Sequence, residues 1–182
     1  MKNDLIIWMQ TIDLKKHSGG AEKFIANIAR KLIIADYKPI IIAANDKLTI
    51  PYIEKYLHEN VQLKIIRLPR PNIWILGSFI YVLLSIIIIN IYYNKIKVVH
   101  FNSINHRAAL ISFFSRIFKK RVILRSNGGD SWFINDKLSK NNTFTRFHIS
   151  MLNLSNKIIV QSSEGFKLLK NIGIKSNIIE KI

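Results

Sequence analysis

Cysteine is absent from this chain of 182 residues. Its absence excludes disulfides, thiolate metal sites and a cysteine nucleophile, and it suits a reducing cytosol. Carboxylates are scarce: 11 acidic residues face 28 lysines and arginines, for a formal charge of +17. No set of His and carboxylates stands at metal-ligand spacing, so no metal is expected. Proline, at 4, and glycine, at 7, are sparse, and no internal repeat or linker is visible. The few glycines also rule out three phosphate and nucleophile signatures. Gly19-Gly20 lacks the third glycine of a dinucleotide fingerprint. No Gly-Lys-Ser/Thr follows the first apolar run, and no Gly-x-Ser-x-Gly elbow supports an acyl-transfer triad.

Hydrophobic residues are plentiful, at 49%, enough for a real core. The length fits one domain. Short β-branched runs alternate with helical stretches, the signature of an α/β protein with a parallel sheet and helices on both faces. Leu5–Met9 reads as the first strand, and Asp4 beside so short a run argues against a secretory signal. Ala21, Phe24, Ile25, Ile28, Ala29, Leu32 and Ile33 make a helical stripe over 20–35. Strands are expected at 39–44, 63–66, 97–101, 121–125 and 157–160, with a further strand-like run over 177–182. A helix is expected at Tyr52–His58 and another at 144–154. The helix after the fourth strand is expected to present Ala109, Leu110, Phe113, Phe114 and Ile117 on one side, and Asn135–Asn142 reads as a mobile loop. Ser162 or Ser163 caps the following helix and Gly173 ends it.

The run from Ile73 to Tyr93 carries no charge and nears the length of a membrane span. Arg67, Arg70, Lys95 and Lys97 flank it. Its place between strands, and Ser78, Ser85 and Asn90 on one side, favour a helix packed on the sheet with one face resting on membrane.

Ligands of an open parallel sheet bind beyond the carboxyl ends of its strands. After the first strand comes Ser18-Gly19-Gly20, opening a helix whose first N–H groups lack intrahelical partners and favour an anion. A Gly-Gly turn serves equally as a plain tight turn. Asn102, Ser103, Asn105 and His106 follow the fourth strand, and Ser126, Asn127, Gly128, Gly129 and Asp130 follow the fifth. Gln161, Ser162, Ser163 and Glu164 follow the sixth. These residues suit recognition of hydroxyls and phosphates, and they are equally common as turn formers and caps. His100, between Val99 and Phe101, reads as a buried, hydrogen-bonded histidine. The positive charge points to an anionic partner or to a codon bias favouring Lys, Asn and Ile together. Aromatics are not interleaved with Lys and Arg on one face, so nucleic acid is not expected.

The order of these segments resembles the N-terminal half of a family 4 glycosyltransferase of GT-B fold. Ser18-Gly19-Gly20-Ala21-Glu22 resembles that family's glycine-rich loop. Val98-Val99-His100-Phe101-Asn102 resembles its Val-Val-His-x-His strand, and Arg121 to Asp130 resembles the strand and His-Gly-x-Asp loop. Leu154 to Ser162 resembles its Ala-Asp-x-Ile-Ile-x-x-Ser segment. Asn102 and Asn127 stand where the family has histidines. The resemblance implies one Rossmann-like, acceptor-side domain over 1–182. The second domain, with its Glu-x7-Glu motif, would lie beyond Glu180-Lys181-Ile182 or in a complementary subunit. It implies transfer, with retention, from a nucleotide sugar to a glycan or lipid-linked acceptor, as in cell-surface polysaccharide synthesis, without cofactor or metal. Gly19 and Gly20 would face the donor phosphates. Ser18, Asn102, Ser103, Asn127, Gly128, Asp130, Ser162 and Glu164 would contact sugar or acceptor; no catalytic residue is identified. A cytoplasmic protein, peripheral on an anionic inner membrane face, is the implied setting. The alternative is a non-catalytic basic α/β module binding membrane or nucleic acid.

Overall fold

The computed structural model describes residues 6–7, 20–45, 50–71, 73–92, 94–127, 133–138, 140 and 142–182. They divide into two compact units, Met1–Val99 and His100–Ile182.

The first unit contains β1 (Ile6–Ile7), α1 (Gly20–Ile34), β2 (Ile40–Asn45), β3 (Tyr52–His58), β4 (Val61–Pro69) and α2 (Trp74–Ile91). Its sheet runs β1-β2-β4-β3. β2 lies parallel to β1 and to β4, with Ile41 opposite Ile65. All of β2 up to Ala44 is buried, as a strand covered on both faces requires. The helical stripe of α1 supplies Ile25, Ala26 and Ala29, which pack on Ile41, Ala43, Leu63 and Ile65. α1 ends where Asp36 turns to φ 63°, with Tyr37 N–H donating to the Leu32 carbonyl at 2.9 Å.

Tyr52–His58, expected as a helix, is the antiparallel strand β3. Glu54, Tyr56 and His58 are half-buried while Ile53, Lys55 and Leu57 are exposed, a period of two. Glu59 and Asn60 have φ values of 43° and 63°, the mirror-image turn whose twist matches a two-residue hairpin. The Arg67 guanidinium of β4 donates to the Glu54 carboxylate of β3 at 2.8 Å, with both side chains largely buried.

α2 packs on β4. Gly77, Tyr81, Ser85 and Ile89 form its buried side. The expected polar side divides: Ser85 is buried, donating to the Tyr81 carbonyl, whereas Asn90 is exposed. Among the described residues no helix is long and apolar enough to cross a membrane.

The second sheet runs β5 (Val98–Phe101), β6 (Arg121–Arg125), β7 (Lys157–Val160) and β8 (Ile179–Lys181). β7 is parallel to β6 and β8. α3 (His106–Ile117), a π-helix (Phe133–Leu138), α4 (Thr143–Leu152), α5 (Ser163–Asn171) and a 3₁₀ turn (Ser176–Ile178) connect these strands. Asn156 joins β6 to β7 twice: its N–H donates to the Val122 carbonyl, and its Oδ1 accepts from the Val122 N–H at 2.8 Å.

Of the side expected on α3, only Ala109 is fully buried. Ala108, Ala109, Ile111, Ser112 and Ser115 are inside, Phe113 and Phe114 are half-buried, and Ile117 is exposed. Small residues on the inner side allow close approach to β6 and α4. Asn135–Leu138, expected in a loop, belongs to the π-helix. Phe133, Ile134 and Leu138 anchor it by burial, and the Phe133 ring meets His106 edge-on at 4.5 Å. His148 Nδ1 donates to the Phe144 carbonyl, so its Nε2 accepts from His106 Nδ1 at 2.9 Å, tying α4 to α3.

Candidate functional site

The carboxyl ends of β6 and β7 and the first turns of α5 enclose a cavity of about 550 Å³ in the second unit. Ser126, Asn127, Gln161, Ser162 and Glu164 supply its polar lining, and Ile134, Val160 and Leu168 its apolar surface. Parallel pairing of β6 with β7 sets the two polar tails side by side. Asn135 of the π-helix closes one side.

Ser162, Glu164 and Asn127 are each held for a local reason. Ser162 is the N-cap of α5, accepting from the Gly165 N–H at 3.0 Å. Gly165 allows this tight first turn, since a Cβ there would stand 3.3 Å from Ser162 Oγ and 3.7 Å from Val160 Cβ. Glu164 sits in the first turn of α5, where a carboxylate complements the helix dipole. Asn127 Nδ2 donates to the Asn102 carbonyl at the end of β5. Asn102 is itself buried, and its Oδ1 accepts from Arg125 Nη1 at 3.1 Å. Ser103 lies outside the cavity lining, with its Oγ accepting from Asn105 Nδ2, while Asn105 Oδ1 caps α3 through the Ala108 N–H.

Behind this shell lies His100, buried in β5. Burial, reinforced by the Arg125 charge, lowers its pKa from 6.5 to about 4, so the ring is neutral near pH 7. Its Nε2 is buried and has no hydrogen-bond partner among the described residues. Burial also pulls the Arg125 pKa down, although a guanidinium keeps its charge at neutral pH.

The structure therefore brings together Asn127, Ser162 and Glu164 around one cavity, with Asn102 immediately behind Asn127. Gly20 belongs to the first unit, exposed at the start of α1, and a Cβ added there would meet nothing within 4 Å. Ser18, Gly19, Gly128 and Asp130 lie outside the described residues. Arg125, Asn135 and Leu168 were not singled out from the sequence. Asn135 and Leu168 come from helices, and a search after strand ends cannot find them. No group of three or more His, Asp or Glu gathers among the described residues to hold a metal.

Among the described residues the cavity lining combines amides, hydroxyls and one carboxylate with an apolar surface, and it includes no lysine or arginine. Such a lining hydrogen-bonds the hydroxyls of a neutral polyol while its apolar atoms cover C–H faces. The charged side chain of this described lining is Glu164, which disfavours phosphate beside it.

These features define the class: an α/β fold with parallel strands flanked by helices, matching Rossmann-like domains of GT-B enzymes. One similar structure is the UDP-GlcNAc 2-epimerase of Methanocaldococcus jannaschii, at 16% identity and a TM-score of 0.58, over 98% of this chain and 45% of that one. A protein of Listeria monocytogenes assigned as a UDP-N-acetylglucosamine 2-epimerase aligns at 9% identity with a TM-score of 0.63, again over 98% and 45%. The catalytic domain of starch synthase IV of Arabidopsis thaliana, bound to ADP and acarbose, aligns at 10% identity with a TM-score of 0.63, over 100% and 51%. The chain thus spans about half the length of each of these structures. No family model and no curated protein matches the sequence.

Proposed function

We propose that this chain forms the acceptor-side half of a retaining glycosyltransferase of GT-B architecture, resembling family 4. It would move a sugar from a nucleotide sugar to a glycan or lipid-linked acceptor in polysaccharide synthesis. The observation that carries the reading is the cavity that Ser126, Asn127, Gln161, Ser162 and Glu164 line with amides, hydroxyls and a carboxylate at the carboxyl ends of β6 and β7. A phosphate-bearing donor needs main-chain N–H groups or cations instead, as the Gly19-Gly20 segment is expected to offer. Sugar transfer separates charge between an electron-poor sugar and a departing diphosphate, and fixed amide dipoles stabilise that separation. A partner domain or subunit would supply the remaining groups.

The test begins with binding. Titration calorimetry against oligosaccharides and a panel of nucleotide sugars should detect sugar binding. Asn127→Ala and Glu164→Gln should each weaken sugar binding by about tenfold, the loss of one or two hydrogen bonds to a ligand. Their melting temperatures should stay close to that of the parent. Binding unchanged in both variants would remove the cavity from the reading. Release of nucleoside diphosphate, assayed after adding a complementary half that carries Glu-x7-Glu, then tests transfer itself. Release that needs no acceptor, or isomerisation of the sugar without release, would overturn it.

A further inference from the structure

The outer side of α2 is a continuous apolar stripe. Ile75, Phe79, Leu83, Ile87 and Ile91 recur every four residues and are 66%, 60%, 47%, 44% and 71% exposed. Single exposed apolar residues are ordinary on protein surfaces, but an aligned row along an 18-residue helix is not. The helix is about 27 Å long. Its other side is committed to the protein: Gly77, Tyr81, Ser85 and Ile89 are buried, and α2 packs on β4. A helix held along one side in this way cannot leave the sheet to cross a bilayer.

Charge decides what covers the stripe. No charged residue lies between Ile73 and Tyr93, while Lys95 and Lys97 follow directly and are exposed. The whole chain carries a formal charge of +17. A second copy would bring the same positive charge to the interface, whereas an anionic lipid surface complements it. We infer that the Ile75–Ile91 stripe of α2 lies in the interfacial plane of an anionic phospholipid bilayer. The apolar side chains enter the acyl boundary, and the lysines beyond the helix meet lipid phosphates. The inference stands apart from the sugar-transfer reading, because its measurement is partition and not turnover.

Vesicle flotation of the full chain tests it. The protein should float with phosphatidylcholine vesicles containing phosphatidylglycerol and stay down with phosphatidylcholine alone. Added salt should weaken the partition. The triple change Phe79→Ser, Leu83→Ser and Ile87→Ser should lower it by about tenfold or more, with circular dichroism unchanged. A second measurement avoids dependence on that variant folding. Because the parent has no cysteine, Leu83→Cys accepts a single environment-sensitive dye. Its emission should shift to the blue with anionic vesicles, while the same dye at Lys31→Cys, on the exposed side of α1, should not respond. Failure of the parent to float, or a silent dye at Leu83→Cys, would overturn the inference. So would retention through carbonate extraction, which marks a span. Concentration-dependent dimers that the triple change dissolves, without vesicle binding, would assign the stripe to a second copy instead.

Discussion

At the scale of single residues, the structure shows how neutral groups are kept in place behind a polar cavity. His100 is the clearest case. Its pKa is lowered to about 4 in the fold against 6.5 in the unfolded chain. Between those values the unfolded state binds the extra proton, so stability is complete above about pH 6.5 and is lost as pH falls toward 4. The loss amounts to about 3 kcal/mol. Urea midpoints measured from pH 4 to 7 should show that slope, and His100→Gln should flatten it. A second expectation concerns Ser162, whose hydroxyl caps α5 through the Gly165 N–H. Ser162→Ala should cost about 1 kcal/mol, read from the same midpoints. The burial of His100 was legible from its place inside the apolar run Val98–Phe101, a strand buried on both faces. So was the cap, from a serine placed just before a helical stripe. The Asn127 bond to the Asn102 carbonyl was not, because it joins positions 25 residues apart.

At the scale of elements, local pattern was sufficient wherever a segment is buried on both faces or on one clear stripe. β6 and β7 lie at the expected 121–125 and 157–160, and α1 begins at Gly20 as its stripe requires. β3 was misread because Tyr52–His58 mixes charged and apolar residues, and Thr49 and Pro51 before it suit a helix start as well as a strand border. What makes it a strand is its pairing with β4 and the Glu59-Asn60 turn. Glu54→Ala should therefore do more than remove a surface charge. It removes the carboxylate that Arg67 holds in the sheet, at a cost of about 1–3 kcal/mol, and chemical denaturation should report it. In α2, a methyl group at Gly77 would collide with the backbone carbonyl oxygen of Pro71. Gly77→Ala should cost about 1–3 kcal/mol, through displacement of the first turn of α2, and should lower the thermal midpoint accordingly.

At the scale of the whole molecule, the charge of +17 is the dominant property. It predicts retention of duplex DNA on filters at low salt, through screened, non-specific attraction. That retention should vanish near physiological salt, since aromatics are not interleaved with the basic residues. Tight binding that survives there would favour the nucleic-acid alternative over sugar transfer. By itself the sequence determined the α/β class, the order of the main strands and helices, and five polar residues that share the cavity, Ser126, Asn127, Gln161, Ser162 and Glu164. Those follow from the spacing of apolar residues along the chain and from the rule that ligands sit beyond strand ends. Only the tertiary structure decided that Tyr52–His58 is a strand, that α3 turns its serines inward, and that Asn135 and Leu168 complete the cavity wall. Each of these depends on which distant segment lies alongside, and such contacts leave no periodic trace in the segment itself.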